Sequence, residues 1–390
     1  MQPTGVLETS KATNPLQALL GYGQSMWLDY IRRDLITSGS LKKMIADDGL
    51  RGMTSNPSIF EKAIAESSLY DDLLNALAAR TDLDTKARYE EIAIRDIQDA
   101  ADVLRPVYDA SKFRDGYVSL EVSPLLARKT QETIDEAQRL WKSVNRENVM
   151  IKIPGTAEGL PAIRQAIGEG INVNVTLLFS QEVYEKVAEA HIGGLEDLAK
   201  RGGNLKKIGG VASFFISRID SMVDSMINDK LKSSTDAKQQ ELLKSLLGKV
   251  AIANGKLAYR SYQRLFSGPR WQALAAQGAQ TQRVLWASTS TKNPAYRDVM
   301  YVEELIGPDT VNTMPPATID AFRDHGKLRN SLTEDVAGAQ NVMDNLARTG
   351  ISIKDVTTKL TEDGVKLFAD AFHKLLAAVE KGTQPKGKTA

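Results

Sequence analysis

The feature that most constrains this chain is an alternation: short apolar runs alternate with longer stretches of helical period almost from end to end. The pattern predicts strands over 23–29, 49–55, 115–122, 148–153, 171–178, 207–215, 283–287 and 310–314. About eight βα units in succession fit either a closed parallel barrel or an open doubly wound sheet. Strands of an open sheet are covered on both faces and favour continuous apolar runs. Several runs here carry polar residues on one face. A barrel accommodates this, because one face of each strand looks inward and can host a site at its C-terminal end. The expected fold is therefore α/β, a (β/α)8 TIM barrel with extra N-terminal and C-terminal helices.

The intervening segments have helical period. Ser58 and Glu61 have the spacing of a capping box, and an apolar-rich run continues to Leu77. Ala93, Ile97, Ala100, Ala101 and Leu104 recur at helical spacing, with Pro106 expected to mark the end. Thr130, Ile134 and Ala137 do the same, and a long helical stretch is expected from Arg218 to Leu265. Val365, Phe368, Phe372, Leu376 and Val379 form an apolar stripe on a last helix, expected to pack across the barrel. The expected organisation is an N-terminal extension over 1–20, one barrel domain over 21–380 and a disordered tail over 381–390. The segment 267–282 is either a lid near the substrate or a plain loop.

Composition narrows the function. The 390 residues carry a formal net charge of +1, so no global field draws in nucleic acid or a membrane surface. Any bound anion needs a local cluster. There is no cysteine, which removes disulfides, thiol catalysis and cysteine-ligated metals. His191, His325 and His373 lie far apart and show no metal-ligand spacing. No cysteine-ligated or histidine-spaced metal site, nucleic acid or membrane partner is expected. The first residues lack a basic-then-apolar signal pattern, so the expected location is cytoplasmic.

Side chains alternate along a strand. In 149–153, Val149, Ile151 and Ile153 face one way, while Met150 and Lys152 face the other. One lysine near a strand end snorkels to solvent as readily as it points inward. The neighbouring strands decide between these. Ser119, Glu121 and Ser123 share a face; so do Asn172, Asn174 and Thr176; Asp29 closes an apolar run, and Thr54 and Asn56 close the second strand. Together they converge an amine, two carboxylates, two amides and hydroxyls at one mouth, an improbable arrangement for a merely structural core. A desolvated amine adds to a ketone and gives an iminium, an electron sink for carbon–carbon cleavage. Two carboxylates in different environments can divide the proton transfers. The loops after the sixth and seventh strands, Ser213 to Arg218 and Ser288 to Asn293, are rich in hydroxyls and carry one cation each, which suits a phosphate.

Four segments carry a resemblance: Thr54-Ser55-Asn56-Pro57-Ser58, Val149 to Thr156, Ile171 to Ser180, and Trp286 to Pro294. In this order, over 14–382, the chain resembles the transaldolase family in its longer bacterial form. The resemblance implies a metal-free, cofactor-free Schiff-base enzyme of the non-oxidative pentose phosphate pathway, monomeric or homodimeric. Such an enzyme transfers a dihydroxyacetone unit from sedoheptulose 7-phosphate or fructose 6-phosphate to glyceraldehyde 3-phosphate or erythrose 4-phosphate. It implies that Lys152 forms the Schiff base and Asp29 is the base on the C4 hydroxyl, while Glu121 and Thr176 hold the water of dehydration. Asn56 and Asn174 would bind hydroxyls, with Thr54 and Ser213 nearby, and Arg218 and Ser288 would hold the phosphate. Many members carry an arginine two residues after the serine matching Ser288; here Lys292 is the only cation of that segment. The nearest alternative is a fructose 6-phosphate aldolase, which organises its water with a tyrosine and a glutamine. Phe215 and Glu121 stand at those positions and favour transfer over release. A non-catalytic sugar-phosphate-binding barrel is the other alternative.

Overall fold

A computed structural model describes residues 14–384. Eight parallel strands close into a barrel in sequence order: β1 Gln24–Asp29, β2 Gly52–Thr54, β3 Tyr117–Glu121, β4 Val149–Pro154, β5 Val173–Leu178, β6 Gly210–Phe215, β7 Arg283–Ala287 and β8 Thr310–Met314. Each falls within or against its predicted segment, and β8 pairs back onto β1. The expected barrel is the observed fold. The first thirteen residues of the expected extension, and 385–390 of the expected tail, lie outside the described residues. Within reach, Asn14 caps a short helix at Pro15–Ala18, while Lys381 and Gly382 continue the last helix rather than a tail.

The helices that matter below are α1 Pro57–Ala65, α2 Thr85–Ala110, α3 Gln181–Lys200, α4 Ser217–Ser233, α5 Ala237–Leu246, α6 Val250–Leu265, α7 Pro269–Ala275 and α8 Ile353–Gly382. Several expected boundaries move. The run from Ser58 to Leu77 is two helices, and its cap is Asn56, whose side chain accepts from the Ile59 N–H at 3.1 Å ahead of Pro57. Pro106 does not end α2. The apolar face continues through Val107 and Tyr108, and their burial outweighs the one backbone bond a proline removes. The stretch from Arg218 to Leu265 is α4, α5 and α6, broken at Asp236, which caps α5, and at Gly248, whose φ of 69° is left-handed.

The barrel floor is a sealed polar plug. Asp115 accepts from Ser25 Oγ at 2.8 Å, Trp27 Nε1 at 3.2 Å and Arg283 Nη2 at 2.8 Å. Both charges are buried, and burial is tolerable only because they meet each other. Gly52 leaves space for the Trp27 indole: a Cβ there would lie 2.5 Å from the ring. The segment 267–282 leads into the N-terminal end of β7. It carries α7, with Arg270 paired to Glu189 and Glu196 of α3. It therefore lies at the floor, away from the mouth, and is not a lid.

Candidate active site

The mouth is built by strand ends. Lys152 is 4% exposed, and its Nζ donates to the Ser55 carbonyl at 3.0 Å. Glu121 and Lys152 are register partners on β3 and β4, and Glu121 Oε2 lies 3.4 Å from the amine. Neither Glu121 oxygen has a hydrogen-bond partner among the described residues, and the same holds for the buried Thr176 Oγ1. Burial pushes the Glu121 carboxyl up to about 7, against the pull of the Lys152 charge. Asp29, at the end of β1, is also raised by burial, opposed by Lys152, by a hydrogen bond from Thr54 and by Arg218 and Lys292.

A cavity of about 250 Å³ opens over this group. Ten of the twelve anticipated residues or their immediate partners shape it directly: Asp29, Thr54, Asn56, Lys152, Thr176, Ser213, Phe215, Arg218, Ser288 and Lys292 line it. Glu121 lies behind Lys152. Asn174 is fully buried, donates to Ser119 Oγ at 3.0 Å and accepts from Ser213 Oγ at 2.7 Å, so Ser213 is the member of that chain at the cavity wall. Asn172 is structural: it ties the start of β5 to the backbone of Glu147, Val149 and Gly209.

The far end is cationic and unpaired. Arg218 sits in the first turn of α4, its guanidinium 5.5 Å from the Phe215 ring centre, and Lys292 donates to Ser290 Oγ at 2.7 Å. Among the described residues neither forms an ion pair. Burial lowers both pKa values, and the Arg218 charge lowers Lys292 further. Two like charges left together, Arg218 partly buried and Lys292 exposed at the rim, favour an anion between them. Ser288 has a left-handed φ of 56°, and Ser217 N–H donates to its carbonyl at 3.0 Å, so the loops after β6 and β7 are fastened together. Tyr296 adds a second tie, donating to Asp224 of α4 at 2.7 Å.

Sequence reasoning did not single out Ser58, Thr313, Pro315 and Phe368 for the site; they also line the cavity, with Ser290 of the anticipated hydroxyl-rich loop. Phe368 comes from α8, its ring centre 5.7 Å from Lys152 Nζ. One turn earlier, Gly364 abuts Leu177: a Cβ there would lie 2.8 Å from Leu177 Cδ2. Leu177 itself has a φ of 61° at a register irregularity that follows Thr176. The helix thus crosses the mouth, as the apolar stripe anticipated. Thr313 was hidden because the polar residues Thr310 and Asn312 mark the other face of β8; Asn312 accepts from Thr289 outside the barrel.

The fold and this mouth define a barrel enzyme organised around a buried amine. Among the described residues no group of three or more His, Asp or Glu side chains is placed to hold a metal, and no helix is long and apolar enough to cross a membrane. Residues 26–379 match the family described as Transaldolase/Fructose-6-phosphate aldolase, and the chain belongs to that family. It is similar to a transaldolase of Trichodesmium erythraeum, with 50% identity over 371 residues, covering 95% of this chain and 97% of that one. It is also similar to transaldolase 2 of Nostoc punctiforme, at 50% identity over 95% of this chain and 97% of that one. A transaldolase of Frankia alni is 45% identical over 94% and 97% of the two chains.

Proposed function

We propose that this chain is a cytoplasmic transaldolase that moves a three-carbon ketol unit between sugar phosphates. One observation carries the reading: a single cavity has the buried Lys152 amine with two carboxylates near one end and the unpaired Arg218 and Lys292 at the other. The Lys152 amine adds to the C2 carbonyl of fructose 6-phosphate or sedoheptulose 7-phosphate. Glu121, through a water shared with Thr176, supplies the proton with which the C2 oxygen leaves as water. Asp29 takes the C4 hydroxyl proton, the C3–C4 bond breaks, and its electron pair enters the iminium to give an enamine. The aldose phosphate leaves. An acceptor, glyceraldehyde 3-phosphate or erythrose 4-phosphate, binds with its phosphate on Arg218, Ser288 and Lys292. The enamine then attacks its aldehyde, and Asp29 returns the proton to the new hydroxyl. Water adds back to C2 of the iminium, so that the C–N bond breaks and the new ketose phosphate leaves a free Lys152 amine. Asn56 and Ser213, backed by Asn174 and Thr54, hold the hydroxyls of the three-carbon unit.

Borohydride reduction with fructose 6-phosphate tests the reading: a covalent adduct on Lys152 is expected, and its absence would sink it and favour a non-catalytic binding barrel. Phe215 is the observation that separates transfer from release. It presents a ring without a hydroxyl to the cavity, so no acid stands there to protonate the enamine. Phe215→Tyr is expected to raise dihydroxyacetone release relative to transfer. An unchanged ratio, assayed with and without an acceptor aldose, would remove that distinction from an aldolase.

A further inference from the structure

Thr313 plays no part in the chemistry described above, yet it is 3% exposed and lines the cavity. It lies on β8 and Thr54 on β2, the two neighbours of β1. Their side chains meet inside the barrel, Thr54 Oγ1 to Thr313 Oγ1 at 2.7 Å. Thr54 Oγ1 is also 2.7 Å from Asp29 Oδ1, and among the described residues it is the only hydrogen-bond donor to that carboxylate.

A hydroxyl has one proton to give. An ionised Asp29 can only accept, so the Thr54 proton is committed to it. The short contact between the two threonines must then be donated by Thr313. We propose that Thr313 is a positioning residue for the proton transfer, donating to Thr54 so that Thr54 donates more strongly to the ionised Asp29. The relay reverses when Asp29 is protonated: the acid can donate to Thr54, and Thr54 to Thr313. The hydrogen-bonded pair thus follows the proton that Asp29 gains at C–C cleavage and returns at C–C formation. Successive hydrogen bonds of one direction polarise each other, which favours the charged form of the terminal acceptor. The other charges facing Asp29 are Lys152 from β4, Arg218 from α4, Lys292 from the loop after β7 and, with opposite effect, Glu121 from β3. Among the described residues none of them hydrogen-bonds to Thr313, whose side-chain hydrogen bond is to Thr54, so a change there leaves their contributions in place.

The inference rests on the reading of Asp29 as the C4-hydroxyl base. The test is the pH dependence of single-turnover cleavage of fructose 6-phosphate in the full chain. Thr313→Val is expected to move the acid limb upward by on the order of half a pH unit, while the fraction of Lys152 trapped by borohydride is unchanged. Thr313→Ser, which keeps the donor, is expected to restore the limb, and Thr313→Ala serves should valine not fold. A valine variant slowed equally at every pH, or a serine variant that behaves like valine, would overturn the relay and leave Thr313 a packing residue. Asp29→Asn separates the two layers. If it cleaves at the wild-type rate, the base assignment fails and the relay with it; if it does not cleave and the valine limb stays put, only the relay fails.

Discussion

Glu121 Oε2 stands 3.4 Å from Lys152 Nζ, yet the amine's hydrogen bond goes to the carbonyl of Ser55. The two side chains form a buried ion pair, but a long one, and neither Glu121 oxygen has a hydrogen-bond partner among the described residues. Burial keeps the carboxyl protonated to about 7, so below that pH it can act as an acid beside a nucleophile.

The alkaline side of the rate profile follows from this. In the proposed role of Glu121, dehydration is expected to slow as pH rises through about 7 and the carboxyl loses its proton. On the acid side, the proposed role of Asp29 as base needs it ionised, so activity is expected to fall as it protonates. A bell-shaped profile of kcat is expected. Glu121→Gln should lower kcat by roughly 10²–10⁴-fold and abolish the alkaline limb; a limb that persists near 7 in the glutamine variant assigns it elsewhere.

Lys292 is expected to act on the phosphate alone. Lys292→Ala removes one of two cations, a charge-assisted contact of about 1.5–3 kcal/mol, or roughly 10–100-fold in KM for a phosphorylated substrate. The KM for an unphosphorylated aldehyde should be nearly unchanged. Equal losses with both substrate types would argue that Lys292 supports the loop and not the anion.

Asp220 makes a prediction about stability. It is buried behind the cationic wall, accepts from Ala251 N–H and Tyr301, and burial raises it to about 7. Its ordinary value is 3.8. Between those two values the folded chain holds a proton that the unfolded chain has lost, so this group's contribution falls as pH rises across the window. Asp220→Asn should therefore gain stability relative to wild type as pH rises from about 4 to 7, on the order of a few kcal/mol by its end. Urea titrations at several pH values would show a constant offset if this is wrong.

The floor offers a separate measurement. Arg283→Met leaves Asp115 buried and uncompensated, at a cost of about 3–5 kcal/mol. The double variant Arg283→Met with Asp115→Leu should recover much of that. If the single variant unfolds at the wild-type denaturant midpoint, water reaches the plug and the floor is not sealed.

The fold was legible because strand and helix periods differ, and each inward polar residue interrupts an otherwise apolar strand. Lys152, Glu121, Asn174 and Thr176 could be found that way. Thr313 could not, because its strand carries two polar residues on the opposite face, where Asn312 and Thr310 are buried and hydrogen-bonded outside the barrel. Phe368 was visible only as one member of a core stripe. Nothing local to the sequence records that the stripe ends on an amine in another part of the chain. Helix breaks were misread wherever tertiary burial overrode a local signal, as at Pro106, or where a local signal was subtle, as at Asn56.

Gly364 and Phe368 have a consequence for when the site comes into being. All eight strands lie before α8, and the barrel's pairing is complete without it. The roof over Lys152 is not. The amine is enclosed by a residue that the chain supplies only after the whole barrel, on the helix whose Gly364 packs against Leu177. With Lys152 as the proposed nucleophile, a chain cut short before that helix is expected to keep every strand of the barrel and lose the enclosure of its amine.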